Sequence, residues 1–230
     1  PNKDKKESLL KVKEGNNIFY WNMMYEGAEK VKGMILWWAS LNGPMALPGN
    51  YTVELSVNEI TKKQSFSLVR NPVSEASEAD MKAQFDFINE INKKVSEIHI
   101  ALKNVKKVSA QIAILKKSIA DKTKHKELID FANTLVKEMT AIEETLYQTK
   151  SKSGQDPLNY PIRLNNKLAH INSLTRVGNY KPTQQEIDFK NEITKKIDIE
   201  LAKLYTLFEN KVQVLNKKVK ESTIDFIQLD

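Results

Sequence analysis

The stretch QFDFINEINKKVSEIHIALKNVKKVSAQIAILKKSI, residues 84–119, decides the fold of this chain. Its apolar residues recur every three or four positions, in ten steps over 34 residues, so the mean period is 3.4 residues. That period is close to the repeat of a coiled-coil seam. Because Ser77 and Asp80 have the pattern of an N-cap, we predict a long helix over about 78–121. The stripe comprises Phe85, Ile88, Ile91, Val95, Ile98, Leu102, Val105, Val108, Ile112, Leu115 and Ile119.

Two more stripes with helical spacing follow in the second half of the chain. None of these helices would be apolar on all sides, so each needs a partner along one face. Leu164, Leu168 and Ile171 add a short helix that starts near Pro161, a residue suited to a first helical turn. We therefore predict an antiparallel bundle of three long helices and one short helix. The second stripe comprises Leu128, Phe131, Leu135, Met139, Ile142 and Leu146, and the third Ile193, Ile197, Leu201, Leu204, Phe208, Leu215 and Val219.

A β-hairpin is predicted before these helices. The run YTVELSV, residues 51–57, alternates apolar and polar side chains, so its apolar residues share one face. The run TKKQSFSLV, residues 61–69, follows after Asn58 and Glu59, a short turn. Two such runs joined by a short turn are typical of a hairpin.

Two shorter apolar runs, NIFYWN at 17–22 and MILWW at 34–38, are rich in aromatic and β-branched residues and predict further strands. Together with the hairpin they indicate a small antiparallel β-sandwich. The character of the sequence changes near Pro72, so we predict a β unit over residues 1–72 and a helical bundle over residues 73–230. The fold class is α+β, with more than one domain.

The composition of the 230-residue chain supports a packed core, because 40% of its residues are hydrophobic and 28% are charged. There is no cysteine, which excludes disulfides, thiolate nucleophiles and cysteine-type zinc sites. No apolar run approaches the roughly 18 residues of a membrane-spanning helix, so no membrane span is predicted. The start at Pro1, without a signal-peptide pattern, is expected for a fragment or a processed chain.

The net charge of +7 is concentrated in one stretch. Residues 93–126 carry ten lysines against Glu97 and Asp121, a net charge of +8. Nucleic-acid binding would favour arginines and interleaved aromatic residues, and this stretch has neither. A solvated helix face is the favoured interpretation, weak binding to anionic surfaces is the alternative, and no nucleic-acid partner is predicted.

Catalytic patterns are missing from the sequence. The histidines, His99, His125 and His170, belong to no nucleophile elbow, zinc-protease motif or phosphate-binding glycine loop. Glu143 and Glu144 are adjacent on a helix, about 100° apart, so they cannot flank one glycosidic bond. We predict no catalytic, cofactor-binding or metal-binding residues.

Two features suggest a binding surface instead. Trp37 and Trp38 would point to opposite faces of a strand, and a sugar-stacking platform competes with core packing as their role. The segment SGQDPLNYPIRLNNKLAHI, residues 153–171, interrupts the helices with two prolines and is interpreted as a crossover at a bundle end. The candidate surface residues are Trp37, Trp38, Tyr160, Arg163, Asn165 and Asn166.

The stretch IEETLYQTKSKSGQDPLNYPIRLNNKLAHINS, residues 142–173, resembles the C-terminal region of bacterial sortilin-like β-propeller proteins with BNR/Asp-box repeats. Those proteins carry the provisional label glycosyl hydrolase. The β part resembles their Ig-like module, although Asn22 replaces the usual Asp after Trp21. The module's first strands would lie before Pro1, so the resemblance implies a small, incomplete Ig-like sandwich. The shared elements are Gly15, Asn17, Trp21, Gly33, the run ILWW, Gly43, Pro44, Pro48, Gly49 and Tyr51.

The resemblance implies a non-catalytic C-terminal accessory region of an exported protein, located in the periplasm or at the cell surface. The propeller's Ser-x-Asp-x-Gly-x-Thr-Trp box occurs nowhere in the chain, so no residues here would carry the parent family's activity. The implied partner is the N-terminal propeller of the same parent chain, and the region would serve domain packing or protein interaction.

Two alternatives stay open. A carbohydrate-binding module of a glycoside hydrolase predicts a solvent-exposed tryptophan face with polar neighbours. An enzyme predicts a concave pocket with convergent titratable groups. The partner is then a protein or a glycan, and self-association of the long helices into a homodimer is a further possibility.

Overall fold

A computed structural model describes residues 10–222 and residue 224 of the chain. This part is mixed α+β and mostly helical, as predicted, with a two-stranded antiparallel sheet. A π-helical turn, Leu207–Lys211, joins the last two helices into one leg, so the predicted set of three long helices and one short helix is confirmed. The strands and helices are β1 (Gly49–Val57), β2 (Ile60–Leu68), α1 (Glu78–Ser118), α2 (Lys126–Leu146), α3 (Leu164–Thr175), α4 (Gln184–Thr206) and α5 (Val212–Glu221), with a 3₁₀ turn at Asp156–Leu158.

Helix α1 begins where the sequence predicts. The Ser77 hydroxyl accepts a hydrogen bond from the Asp80 N–H, and the Asp80 carboxylate accepts one from the Ser77 N–H, which forms a capping box. The helix runs for 41 residues and ends three residues before the predicted position. Most of its predicted stripe is buried in the core, namely Ile88, Ile91, Val95, Ile98, Leu102, Val105 and Ile112.

Helices α2 and α3 are two halves of one leg that runs antiparallel to α1. Near the end of α1, Lys116 donates to the Asn133 side chain of α2 at 2.5 Å. Near the start of α1, Gln84 donates to the Thr175 carbonyl at the end of α3, at 2.8 Å. The chain therefore descends along α1 first as α2 and then as α3.

The segment 147–163 interrupts this descending leg halfway along the bundle. Directly after it, the Asn165 amide nitrogen lies 3.4 Å from Nε2 of His99, a residue at the middle of α1. The expectation of a crossover at a bundle end is therefore wrong. The break makes room for the N-terminal part of the chain, because the Tyr147 hydroxyl accepts a hydrogen bond from the Ile35 N–H at this level.

Helices α4 and α5 form the third leg, which runs parallel to α1 and antiparallel to α2. Rising residue numbers on α4 pair with rising residue numbers on α1, which fixes the direction. The buried residues of the third predicted stripe, Ile193, Ile197, Leu201, Leu204 and Leu215, face the same core. The ion pairs between legs are Glu90–Lys190, Lys94–Asp198 and Glu138–Lys211.

The predicted hairpin is confirmed. Val57 of β1 pairs with Ile60 of β2, so Asn58 and Glu59 form a two-residue turn. Asn58 has a left-handed φ of +54°, a conformation that asparagine tolerates better than most residues.

The rest of the predicted sandwich is not confirmed. Within the described residues, β1 and β2 are the strands of the sheet, and the runs 17–22 and 34–38 form no strands. An isolated bridge links Met24 to Met45. The backbone of residues 34–38 bonds to side chains of the helices instead of a neighbouring strand, which is why its β-type composition gives no sheet.

Residues 23–46 form an irregular two-armed ribbon, here called the ribbon. Its arms are joined by backbone hydrogen bonds from Tyr25 to Pro44 at 2.9 Å and from Ala28 to Leu41 at 2.8 Å. Two glycines permit this close approach, because a Cβ atom at Gly27 would lie 2.0 Å from the Leu41 carbonyl oxygen, and one at Gly43 would lie 2.0 Å from that of Tyr25.

Candidate functional site

Two of the candidate surface residues meet where the ribbon packs on α3. The Trp37 N–H donates to Oδ1 of Asn166 at 2.6 Å, and Nδ2 of Asn166 donates to the Trp37 carbonyl at 2.9 Å. One side chain thus satisfies both backbone groups of Trp37, as a neighbouring strand would. Nearby, the Ser40 N–H donates to the Ala169 carbonyl at 3.1 Å. Asn166 is buried, so it positions the ribbon and is not itself exposed to a ligand.

Asn165 is also buried, beside His99. Its Oδ1 accepts the Asn166 N–H at 2.6 Å, and its Nδ2 lies 3.4 Å from both His99 Nε2 and the Met34 sulfur. On the other side of the imidazole, His99 Nδ1 donates to the Glu29 carbonyl at 2.5 Å. Burial lowers the pKa of His99, so the ring is a neutral connector between the ribbon and α3.

A second polar cluster holds the returning arm of the ribbon. The Asn42 carbonyl accepts from Asn92 at 2.9 Å and from Asn172 at 3.1 Å. Arg176 donates to the Asn172 side chain at 3.1 Å and to the Gly43 carbonyl at 2.8 Å. Because the ribbon has little sheet structure of its own, these side chains satisfy its backbone.

Trp38 is the exposed member of the tryptophan pair. Its side chain is 75% exposed and its backbone has a left-handed φ of +51°. The rings of Trp37 and Trp38 lie on the same side, with centroids 6.0 Å apart and planes tilted by 58°, and not on opposite faces as a strand would place them. His170 Nδ1 donates to the Trp38 carbonyl at 2.6 Å, which fixes this residue against α3.

The remaining candidates, Tyr160 and Arg163, are exposed on the segment before α3. Arg163 is the N-cap residue of α3 and lines a cleft of about 310 Å³ together with Lys167, Lys196 and Ile199. Neither tryptophan lines this cleft, and Tyr160 does not line it either. The structure therefore does not bring the six candidates together in one site.

One face of the β-hairpin carries the exposed apolar side chains of β1, together with Lys62 and Gln64 of β2, which pair with Leu55 and Val53. Val53, Leu55, Val57 and Ile60 are each between 51% and 69% exposed, and the register places all four on the same face. The opposite face is polar, with the Thr52 and Ser65 hydroxyls 3.2 Å apart and an ion pair between Glu54 and Lys63 at 2.7 Å. The exposed apolar residues are therefore on the face where a core would normally lie.

An aromatic cluster closes only the base of that face. The Trp21 ring packs on Tyr51 and Phe66, with centroids 5.6 and 6.2 Å apart, and Tyr51 stacks on Phe66 at 5.9 Å. Trp21 donates to the Met24 carbonyl at 3.3 Å, which links the cluster to the ribbon. The hairpin is thus anchored at one end, and its tip extends beyond the anchor.

Sequence reasoning missed the buried polar residues of α1. Gln84, Asn92 and His99 lie seven or eight positions apart, beside the apolar stripe, so they share its buried side. Their spacing next to the core stripe is the sequence signal that could have identified them as buried. Gln84 shows the role, since its amide donates to the carbonyls of Thr175, Gly178 and Tyr180 at 2.8, 3.2 and 3.0 Å.

In the part of the chain that the structure describes, no three His, Cys, Asp or Glu side chains come together as metal ligands. None of the described helices is long and apolar enough to cross a membrane. Comparisons of the chain with protein families, with curated proteins and with solved structures found no match.

Proposed function

We propose that this chain is a non-catalytic accessory region that packs against, or binds, another protein surface through the apolar face of its β-hairpin. The observation that carries the proposal is the exposure of Val53, Leu55, Val57 and Ile60 on one side of a two-stranded sheet. Contiguous exposed apolar side chains of this kind mark interaction sites in soluble proteins. A lone hairpin is also marginally stable without a packing partner.

The helical part of the chain supports this division of roles. Its long apolar stripes are buried against one another, and the ribbon is held on α1 and α3 by the buried His99, Asn166 and Asn172. The core stripes of the helices are therefore buried, whereas the apolar side chains of β1 are exposed. The helices act as a rigid support, and the hairpin supplies the contact.

The sequence resemblance supplies the finer form of the proposal. In that form the hairpin belongs to an incomplete Ig-like sandwich, and its partner is the β-propeller of an exported parent protein, in the periplasm or at the cell surface. A β-structured partner suits the hairpin, because an apolar sheet face packs well on a second sheet about 10 Å away.

The test uses substitutions that change the face without touching the core. In the variant Val53→Lys/Leu55→Lys, the free energy of unfolding should stay within about 0.5 kcal/mol of that of the parent chain, because both side chains are exposed. Binding to the separately produced propeller should be lost. The matched control is Thr52→Lys/Ser56→Lys, which puts the same charges on the polar face of the same strand and should keep binding. Equal binding by both variants would contradict the proposal.

A second candidate function, carbohydrate binding, is favoured by the surface at Trp38. Core packing does not explain Trp38, because its side chain is exposed, and its left-handed φ is unfavourable for a residue other than glycine. Backbone strain of this kind is often retained at functional sites. With the Trp37 ring 6.0 Å away, the pair offers an aromatic surface on which a sugar ring could stack. The test is a glycan-array screen of the chain with Trp38→Ala, and with Tyr20→Ala as an exposed aromatic control; binding lost only in Trp38→Ala would support this function.

A further inference from the structure

Lysines gather at the end of the bundle opposite the hairpin. We define the basic tip as residues 114–127, which contain the turn between α1 and α2, together with residues 212–222, which contain α5. These two segments carry eight lysines against Asp121, Glu127 and Glu221, a net charge of +5 out of the +7 of the whole chain. The lysines are Lys116, Lys117, Lys122, Lys124, Lys126, Lys217, Lys218 and Lys220.

The fold brings the two segments together. Helix α5 packs on α2, and Ile119 after α1, Leu128 of α2 and Leu215 of α5 all belong to the buried core. The ammonium group of Lys218 lies 5.9 Å above the ring of Phe131 on α2. The lysines of α5 therefore add to those of the α1–α2 turn, which sequence order alone separates by about ninety residues.

The α1–α2 turn presents its lysines in an ordered conformation. Asp121 Oδ1 accepts the N–H groups of Thr123 and Lys124 at 3.0 and 2.9 Å, and the Lys124 amide in particular lowers the pKa of this carboxyl group. Its backbone carbonyl accepts the His125 N–H at 3.3 Å. The Asp121 side chain thus shapes the backbone of the turn, and the five lysines of residues 114–127 outnumber its charge and that of Glu127.

Several lysines of the tip have no acidic partner. Within the described residues, Lys117, Lys122, Lys126 and Lys220 form no ion pair with a carboxylate. Some lysines elsewhere in the bundle are paired, as the Lys94–Asp198 and Lys103–Glu29 ion pairs show. The positive charge of the tip is therefore available to an external anion.

We propose that the basic tip binds the surface of an anionic phospholipid bilayer. Lysine ammonium groups suit a flat layer of phosphate headgroups as point charges. The tip projects from the end of the bundle as a helical turn. This shape fits a flat membrane surface better than it fits a nucleic-acid strand, which would bind in a groove. It contains no arginine, which bidentate base recognition favours, and no aromatic residue on which bases could stack.

The tip and the hairpin act independently. Helix α1 has 41 residues, so the two ends of the bundle are about 60 Å apart. This inference does not rest on the proposed function of the hairpin, and loss of one activity would leave the other measurable.

The experiment measures binding of the full chain to vesicles of phosphatidylcholine alone and of phosphatidylcholine with 30% phosphatidylglycerol, at about 50 and 300 mM salt. We expect binding only to the anionic vesicles and a marked loss at the higher salt, because the Debye length falls. In the variant Lys117→Gln/Lys122→Gln/Lys126→Gln, affinity should fall about fivefold per lysine, or roughly 100-fold in total.

The matched control is Lys13→Gln/Lys152→Gln/Lys181→Gln, which removes the same charge from exposed positions outside the tip and should change affinity by less than about threefold. Thermal melting confirms that both variants fold. Equal losses in the two variants would overturn the assignment to the tip. Absence of binding to anionic vesicles, or binding to duplex DNA in its place, would overturn the choice of partner.

Discussion

The Asn166 side chain binds both backbone groups of Trp37, accepting its N–H at 2.6 Å and donating to its carbonyl at 2.9 Å. The two residues are 129 positions apart in the sequence. This contact joins the ribbon to α3 at the point where the descending leg is interrupted. It explains why a ribbon with so little sheet structure keeps a defined path.

Replacing Asn166 by alanine should therefore destabilise the protein. The change removes two hydrogen bonds and leaves partly buried backbone groups of Trp37 without partners, a loss of about 2–4 kcal/mol. Urea unfolding followed by circular dichroism measures it. The control Asn104→Ala, on the exposed side of α1, should cost less than about 0.5 kcal/mol; similar losses in the two variants would contradict the role of Asn166.

The close approach of the ribbon arms predicts the effect of a single methyl group. In Gly43→Ala the new Cβ would meet the Tyr25 carbonyl oxygen at 2.0 Å, so the arms must separate, at a cost of about 1–3 kcal/mol or more. Gly154→Ala is the matched control, since no atom lies within 4 Å of its added Cβ. Thermal melting of both variants checks this prediction, and an unchanged melting temperature in Gly43→Ala would show that the arms are not packed as described.

His99 should make the stability of the protein depend on pH. Burial lowers the pKa of its imidazole below the ordinary value of about 6.5, so the unfolded state binds a proton more readily than the folded state. Its contribution to stability is present above that ordinary value and is lost as the pH falls below it. Unfolding free energies measured at pH 7.5 and 5.5 should therefore differ, with the lower value at pH 5.5.

The variant His99→Gln removes the titrating group and should flatten this dependence. The matched control is His125→Gln, which replaces a histidine in the α1–α2 turn, outside the ribbon contact. If His99→Gln kept the full pH dependence, another group would have to be its source.

Two substitutions at Trp38 separate backbone strain from the loss of the ring. Trp38→Gly and Trp38→Val both remove the aromatic contact with Trp37, but only glycine adopts a φ of +51° without steric cost. The glycine variant should be more stable than the valine variant by about 1–2 kcal/mol. Equal stabilities, measured by urea unfolding, would show that Trp38 is not held in this conformation in solution.

Local features of the fold could be predicted from the sequence. The Ser77–Asp80 capping box and the apolar stripe after it are short-range patterns, and they placed α1 to within three residues at its C-terminal end. The alternation around Asn58 placed the hairpin for the same reason. In both cases the residues that determine the element lie within it.

Features set by distant partners could not be predicted. The run 34–38 has the composition of a strand, but its backbone partners are Asn166 and Tyr147, more than one hundred residues away. The sequence predicts a surface position for Asn165, because nothing in its own segment indicates that His99 lies beside it. Whether the apolar face of the hairpin is exposed also depends on what packs against it. The alternation of apolar and polar residues within a strand gives no information about that partner.

The most direct test of the central claim is site-specific photo-crosslinking from the hairpin to the separately produced propeller that the proposal names as partner. A photoreactive side chain at Leu55 lies on the apolar face, and the same group at Glu54 lies on the polar face of the same strand. We predict a crosslink from position 55 to a β-structured surface outside this chain and none from position 54. Equal reaction with solvent at both positions would contradict the claim that the apolar face is a docking surface.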